Sequence, residues 1–101
     1  MKFTFKRHKK ETGLRAVGHA YPDVDIKQDG KYVGYIAAPS WQTPDHKWSL
    51  RFRVKQTPTK ERPCEWNWFF VKNRFDTEEQ ARQFVVDKAE AINKLNLYIE
   101  P

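Results

Sequence analysis

The alternation of apolar and polar positions predicts β-strands along most of the chain. The clearest case is 48–55, where Trp, Leu, Phe and Val at even positions alternate with Ser, Arg, Arg and Lys at odd ones. A period of two places these two sets on opposite faces of a strand, so one face is apolar and the other is wet. Shorter alternations predict a strand over Met1–His8 and a weaker one over Leu14–Tyr21.

A hairpin is predicted around the dipeptide Asp29-Gly30. The segment Val24–Lys27 alternates before it, and Tyr32–Ala37 forms the returning strand. Asp-Gly between two alternating segments favours a type I′ turn, because that turn needs a positive φ at both central residues. A loop rich in turn-forming residues at Pro39–His46 then leads to the strand at 48–55.

The segment Glu65–Phe75 predicts an aromatic strand after a second polar loop at Gln56–Pro63. Positions 66, 68 and 70 carry Trp, Trp and Phe, whereas positions 69, 71 and 75 carry Phe, Val and Phe. Either apolar side chains occupy both faces of this strand, or a bulge near 68–70 exchanges its faces. We favour aromatic side chains on both faces.

The C-terminal part of the chain predicts an amphipathic helix over 77–95. Thr77 is a suitable N-cap, and Gln80 stands three residues later, as in a capping box. Side chains at spacings of three and four predict the buried stripe: Ala81, Phe84, Val85, Lys88, Ala89, Ile92 and Leu95. The helix is expected to fray near Asn93–Asn96, and the apolar tail Leu97–Ile99 is expected to fold back onto the sheet.

Together these elements predict an α+β fold, an antiparallel sheet of four to six strands packed on one C-terminal α-helix. Residues 1–101 are expected to form a single domain, with a basic N-terminal strand and turn at 1–13, the sheet at 14–75, and the helix at 77–95 followed by its tail. One helix covers one face of a sheet. The second face is therefore the predicted functional surface.

Cysteine usage and the lengths of apolar runs indicate the cellular setting. Cys64 is the one cysteine, so no intramolecular disulfide can form. No secretory apolar segment follows Met1, and no apolar run approaches the ~20 residues that span a bilayer. We therefore expect a cytoplasmic protein in a reducing environment, without membrane contact.

Catalytic and metal-binding residue types do not form a familiar constellation. The histidines, at positions 8, 19 and 46, have no His, Cys or carboxylate partner at metal-ligand spacing. Cys64 lacks a nucleophile signature, and Asp23 and Asp25 are expected to be solvated strand and turn residues. The glycines form no phosphate-binding loop. The sequence thus predicts no enzyme, no cofactor, no metal and no small-molecule substrate.

The net charge of +6 is distributed unevenly. Residues 1–15 carry +5 and residues 47–74 carry +6, whereas residues 16–46 carry −2 and residues 75–101 carry −3. The positive charge therefore lies in the N-terminal arm and the central strands, while the C-terminal helix is acidic. An acidic partner is expected to approach the sheet side.

A basic, aromatic sheet face is the candidate site for DNA or RNA. The planar fork of arginine forms two hydrogen bonds at once with a phosphate or a guanine edge. Rings such as Trp41, Trp66 or Tyr35 could stack on bases. The predicted nucleic-acid-binding residues are Arg51, Arg53, Lys55, Lys72, Arg74, Lys47, Arg62, Trp66, Arg7, Lys9 and Lys10.

A protein partner explains the same charge pattern. Exposed strands are often rich in Lys and Arg for solubility and to prevent edge-to-edge aggregation. An acidic or hydrophobic protein, or a second copy paired along a sheet edge, could use Trp41, Trp66 and Tyr98 as anchors. A protein-interaction module, such as a small phage-type accessory or inhibitor protein, is therefore the alternative.

From about Gly30 to Lys94 the predicted order is strand, strand, strand, helix. The segments Asp29–Ile36 and Trp48–Lys55 and the junction Phe75–Ala81 resemble the AP2-like DNA-binding fold, which includes the arm-binding N-terminal domains of tyrosine integrases. The resemblance implies a three-stranded sheet packed on one helix, with its outer face in the major groove of DNA. It implies that Arg51, Arg53, Lys72 and Arg74 face that groove.

Overall fold

The computed structural model describes residues 2–7, 22–39 and 45–100, and its main element is a five-stranded antiparallel sheet. The elements are β1 (Phe3–Arg7), β2 (Val24–Gln28), β3 (Lys31–Ala37), β4 (Trp48–Lys55), β5 (Trp66–Phe75), α1 (Glu78–Asp87) and α2 (Ala89–Asn93). The strands are neighbours in chain order, as in a meander. The predicted α+β class is confirmed. The strand predicted at 14–21 lies outside the described residues.

The turn between β2 and β3 has the backbone conformation that the sequence predicts. Asp29 has a φ of 52° and Gly30 a φ of 83°. Both values lie in the left-handed region, which Gly enters without cost and Asp tolerates. The Asp-Gly hairpin is therefore confirmed.

A one-residue bulge in β3 decides which tyrosines share a face. Ile26 pairs with Gly34, but the next residue, Lys27, pairs with Tyr32, so Val33 is the extra residue. Val33 is fully buried in the core. Because the bulge shifts the alternation by one, Tyr32 joins Tyr35 on the face that points away from the helices.

The pairing of β4 with β5 contains a larger irregularity that leaves the faces unchanged. Ser49 pairs with Arg74 and Arg51 pairs with Phe70, so β5 advances four residues while β4 advances two. A shift by an even number keeps the alternation of side chains. The structure therefore has both a bulge and aromatic side chains on both faces, and the bulge does not exchange the faces.

The core lies between the sheet and the helices. Its fully buried side chains from the strands are Val24, Ile26, Val33, Ile36, Leu50 and Phe52. The helices contribute Ala81, Val85 and Ile92, which belong to the predicted apolar stripe, and Lys88 of that stripe is exposed. At Gly34, an added Cβ would lie 2.2 Å from the Arg51 carbonyl oxygen, so this position of β3 can hold only glycine without moving β4.

The predicted single helix is two helices in the structure. Thr77 is the N-cap and accepts a hydrogen bond from the Gln80 backbone N–H at 3.2 Å. The Gln80 side chain accepts from the Asp76 N–H, one residue earlier than in a standard capping box. The helix breaks at Lys88, and α2 is held to the sheet by Gln28, which donates to Asn93 Oδ1 at 2.5 Å. No described helix has the length and apolar character needed to cross a membrane.

The C-terminal tail returns to the sheet beside β4. Lys55 N–H donates to the Asn96 carbonyl and Tyr98 N–H donates to the Arg53 carbonyl, each at 2.9 Å, while Leu97 pairs with Val54. The pairing of β3 with β4 ends at Gly34 and Phe52, so the tail occupies the stretch of β4 that β3 leaves free. The prediction that the tail folds back is confirmed.

Candidate functional site

The face of the sheet opposite the helices carries aromatic rings and basic side chains, and we call it the open face. Its central residues are Tyr32, Tyr35, Arg51, Arg53, Trp66, Trp68 and Phe70. Their placement follows from register, since directly paired residues share a face. Within the described part of the chain, the element that packs on this face is the tail.

Arg53 is buried at the centre of a box of three aromatic rings. Its guanidinium carbon lies 4.5 Å from the ring centre of Tyr32, and 5.3 Å from those of Trp66 and Tyr98. Nη1 donates to Glu100 Oε1 at 2.9 Å and Nη2 donates to the Tyr32 carbonyl at 3.3 Å. The residue is only 6% exposed. Cation–π attraction and the carboxylate replace the water that the buried charge loses.

The tail explains why Arg53 is not on the free surface. The Tyr98 ring stacks on Trp66 with centres 6.3 Å apart and an angle of 28° between planes. The backbone bond from Tyr98 to Arg53 places this ring over the guanidinium. Arg53 is a predicted nucleic-acid contact, and in this structure its buried side chain contacts β3, β5 and the tail.

Arg51 is half-buried between two rings of the same face. Its Nη1 donates to the Tyr35 hydroxyl at 2.8 Å. Its guanidinium carbon lies 5.0 Å from the ring centre of Phe70 and 5.5 Å from that of Tyr35. The side chain is therefore at the surface of the site, with part of its hydrogen-bonding fork already engaged.

The rings of β5 form a row with one strongly exposed member. Trp68 meets Trp66 and Tyr35 edge to face, at centre distances of 5.1 Å and 5.3 Å. These contacts fix the orientation of Trp68. Phe70 follows in the row and is 58% exposed. An exposed phenylalanine beside an arginine, on a face that also carries lysines, is a surface suited to a flat ligand.

Three predicted cations remain accessible at this face. Lys55, Lys72 and Arg74 are exposed. Arg74 lies 3.6 Å from an oxygen of Asp45, but exposed ion pairs of this kind contribute little and exchange readily with another anion. These side chains are therefore accessible from solvent.

The other predicted residues lie elsewhere. Arg7 points to the helix side, where Nη2 donates to Glu78 at 2.9 Å, and this bond raises the pKa of Arg7. Lys47 is exposed and 3.4 Å from Asp76 at the start of α1, and Arg62 is exposed in the loop between β4 and β5. Lys9, Lys10 and Trp41 lie outside the described residues.

Sequence reasoning placed Trp66 in the site but omitted Trp68 and Phe70. The signal was present, because the three residues share the same parity in β5. For Tyr32 and Tyr98, the sequence pattern does not indicate a place on the open face. Their places depend on the bulge in β3 and on the path of the tail, which alternation along a single strand does not report.

Metal-binding geometry is absent from the described residues, since no three His, Cys, Asp or Glu side chains among them come together. Cys64 is exposed and free. No protein-family model, no curated protein and no solved structure matches this chain. The resemblance to the AP2-like fold therefore stays a prediction, and function has to be inferred from the chemistry of the open face.

Tyr32 gives the Arg53 box a measurable dependence on pH. Burial of its hydroxyl, helped by the Asp25 carboxylate, raises the pKa of Tyr32 from 10.0 to about 12. Between those pH values the folded protein keeps a proton that the unfolded chain releases, so this contribution to the free energy of unfolding falls as pH rises.

We expect Tyr32→Phe to make the free energy of unfolding less sensitive to pH above pH 10. The wild type should lose up to about 2 kcal/mol more than the variant between pH 10 and pH 12, because phenylalanine has no proton to release. Urea unfolding curves of both proteins across this range measure the difference. Equal losses in the two proteins would show that the Tyr32 hydroxyl is not buried as described.

Proposed function

We propose that this chain is a non-enzymatic nucleic-acid-binding domain that uses its open face. The observation that carries the proposal is the exposed Phe70, which lies against Arg51 on a face that also carries Lys55 and Lys72. Aromatic rings between basic side chains fit the two chemical parts of a nucleic acid. The rings stack on bases, and the cations neutralise phosphates.

The distribution of charge supports an approach from the sheet side. Residues 47–74, which include β4 and β5 up to Arg74, carry eight basic residues against the two acids Glu61 and Glu65. Residues 75–101, which include both helices, carry −3. A polyanion is therefore attracted more strongly to the part of the molecule that β4, β5 and their loop form than to the helices.

The arginines of β4 have different tasks in this proposal. Arg53 is buried and holds the rings of the open face in position, because its charge is enclosed by three rings and Glu100. Arg51 lies at the surface and supports Phe70. Phosphate contacts come mainly from Lys55, Lys72 and Arg74, whose side chains are exposed.

Removing two exposed lysines of the open face should weaken binding and reduce its dependence on salt. In the variant Lys55→Ala/Lys72→Ala, the slope of log affinity against log salt should flatten by about 1.4–1.8, since each lost phosphate contact removes about 0.7–0.9. Fluorescence anisotropy titrations with labelled DNA and RNA oligonucleotides at several salt concentrations measure this slope.

The matched control is Lys88→Ala/Lys94→Ala, which removes the same charge from exposed positions on the helix side. This control should leave the slope of log affinity against log salt close to the wild-type value. It removes no phosphate contact and weakens only the long-range attraction between protein and oligonucleotide. Equal effects of the two double variants would contradict a specific role for the open face. No salt-dependent binding of any oligonucleotide at about 50 mM salt would overturn the proposed function.

The outer edge of β5 favours a second candidate, pairing with another protein chain. β5 is the last strand of the sheet, has ten residues, and carries Phe69 and Phe70 exposed on opposite faces by 41% and 58%. A long apolar edge is a template for a further strand. The specific form of this candidate is a homodimer in which two β5 edges pair.

Light scattering distinguishes this candidate from the first. A homodimer would have twice the chain mass of 12.1 kDa, and Phe69→Glu would return it to the monomer mass, because a charge on the edge opposes pairing. A wild-type mass of one chain at all concentrations tested would rule out the homodimer.

A further inference from the structure

The two central arginines of the open face are poorly placed to read base edges in a duplex. Recognition of guanine in the major groove needs a free guanidinium fork. Arg53 donates to Glu100 and is buried, and Arg51 donates to Tyr35 while lying against the Phe70 ring. On this face, aromatic rings are therefore more accessible to a ligand than free guanidinium groups.

The exposed rings are suited to the flat face of a base. Phe70 is 58% exposed, and its neighbour Trp68 is held edge to face by Tyr35 and Trp66. In a duplex each base is covered above and below by neighbouring base pairs, so only the edges can be reached. An unpaired base has a free face, which can stack on an aromatic side chain.

The spacing along β5 also fits an unstacked strand. Trp68 and Phe70 are two residues apart, which corresponds to about 6.6 Å along a β-strand. Bases stacked in a duplex are only about 3.4 Å apart along one strand. Lys72 continues the row beyond Phe70, and Lys55 pairs with Trp66 at the other end, so cations flank the rings on both sides.

We propose that the open face selects single-stranded over double-stranded nucleic acid, with an unpaired base stacked on Phe70 beside Arg51. This inference rests on the function proposed above and adds to it the class of ligand and the main stacking residue. Trp68 provides the neighbouring stacking position, and Lys55 and Lys72 contact the phosphates on either side. Because stacking requires only a π-face, little sequence preference is expected.

The experiment compares one sequence in two forms. A fluorescein-labelled oligonucleotide of about 15 nucleotides is titrated with the protein as a single strand, as DNA and as RNA, and again as a duplex with its complement, at about 50 mM salt. We expect at least one single strand to bind about ten-fold or more tightly than the duplex. Phe70→Ala should weaken the single-strand complex about five-fold to 100-fold, which corresponds to the loss of one stacked base.

Phe69→Ala is the matched control, because Phe69 is the adjacent exposed ring on the opposite face of β5. It should change single-strand affinity by less than about two-fold, while Phe70→Trp, which keeps a stacking ring, should retain binding. Thermal melting of each variant shows whether it is folded.

The possible outcomes separate this inference from the proposed function. Binding of the duplex as tightly as the single strands, or equal effects of the alanine variants at 69 and 70, would overturn the single-strand inference while nucleic-acid binding stands. Failure of every oligonucleotide to bind would overturn both. Single-strand preference that is lost in Phe70→Ala and retained in Phe69→Ala would support both.

Discussion

The burial of one charge, the Arg53 guanidinium, organises the open face of this protein. A cation with 6% exposure persists only where other groups replace most of its hydration, and here three rings, the Glu100 carboxylate and the Tyr32 carbonyl do so, while Nε is buried without a hydrogen-bond partner. The rings come from β3, β5 and the tail. The requirement to satisfy Arg53 therefore ties together segments that are distant in the chain and fixes Trp66 for its contact with Trp68.

The two sides of the sheet have separate roles as a result. On the helix side, aliphatic and aromatic side chains form a dry core, and the Arg7–Glu78 ion pair joins β1 to α1. On the open face, the rings are arranged around arginines and are partly exposed, with Phe70 as the least covered. Edge-to-face contacts hold Trp68 in place, and among the described residues only the tail packs on this face. A flat, polyanionic ligand could therefore dock on the described part of the face without rearranging the fold.

Local chemistry made much of the fold predictable from the sequence. The strand at 48–55, the positive-φ turn at Asp29-Gly30 and the cap at Thr77 each depend on a few adjacent residues, and each is present in the structure. The wet face predicted for β4 is wrong, because Ser49 and Arg53 on that face are each only 6% exposed. The bulge at Val33 and the helix break at Lys88 have no signal in the alternation, and the covering of Arg53 by Tyr98 depends on contacts between distant segments. A pattern within one strand cannot report such contacts, so the burial of Arg53 does not follow from the alternation, whereas the place of Phe70 on the open face does follow from its parity in β5.

Mapping of an oligonucleotide onto the molecule by NMR shows whether a ligand meets the protein at the open face. Backbone amide and indole N–H resonances are assigned, and a single-stranded oligonucleotide is titrated into the labelled protein. We expect the Trp68 indole and the amides around Arg51 and Phe70 to shift progressively, while the amides of α1 and α2 do not. Shifts confined to the helices, or to the loop between β4 and β5, would contradict this expectation.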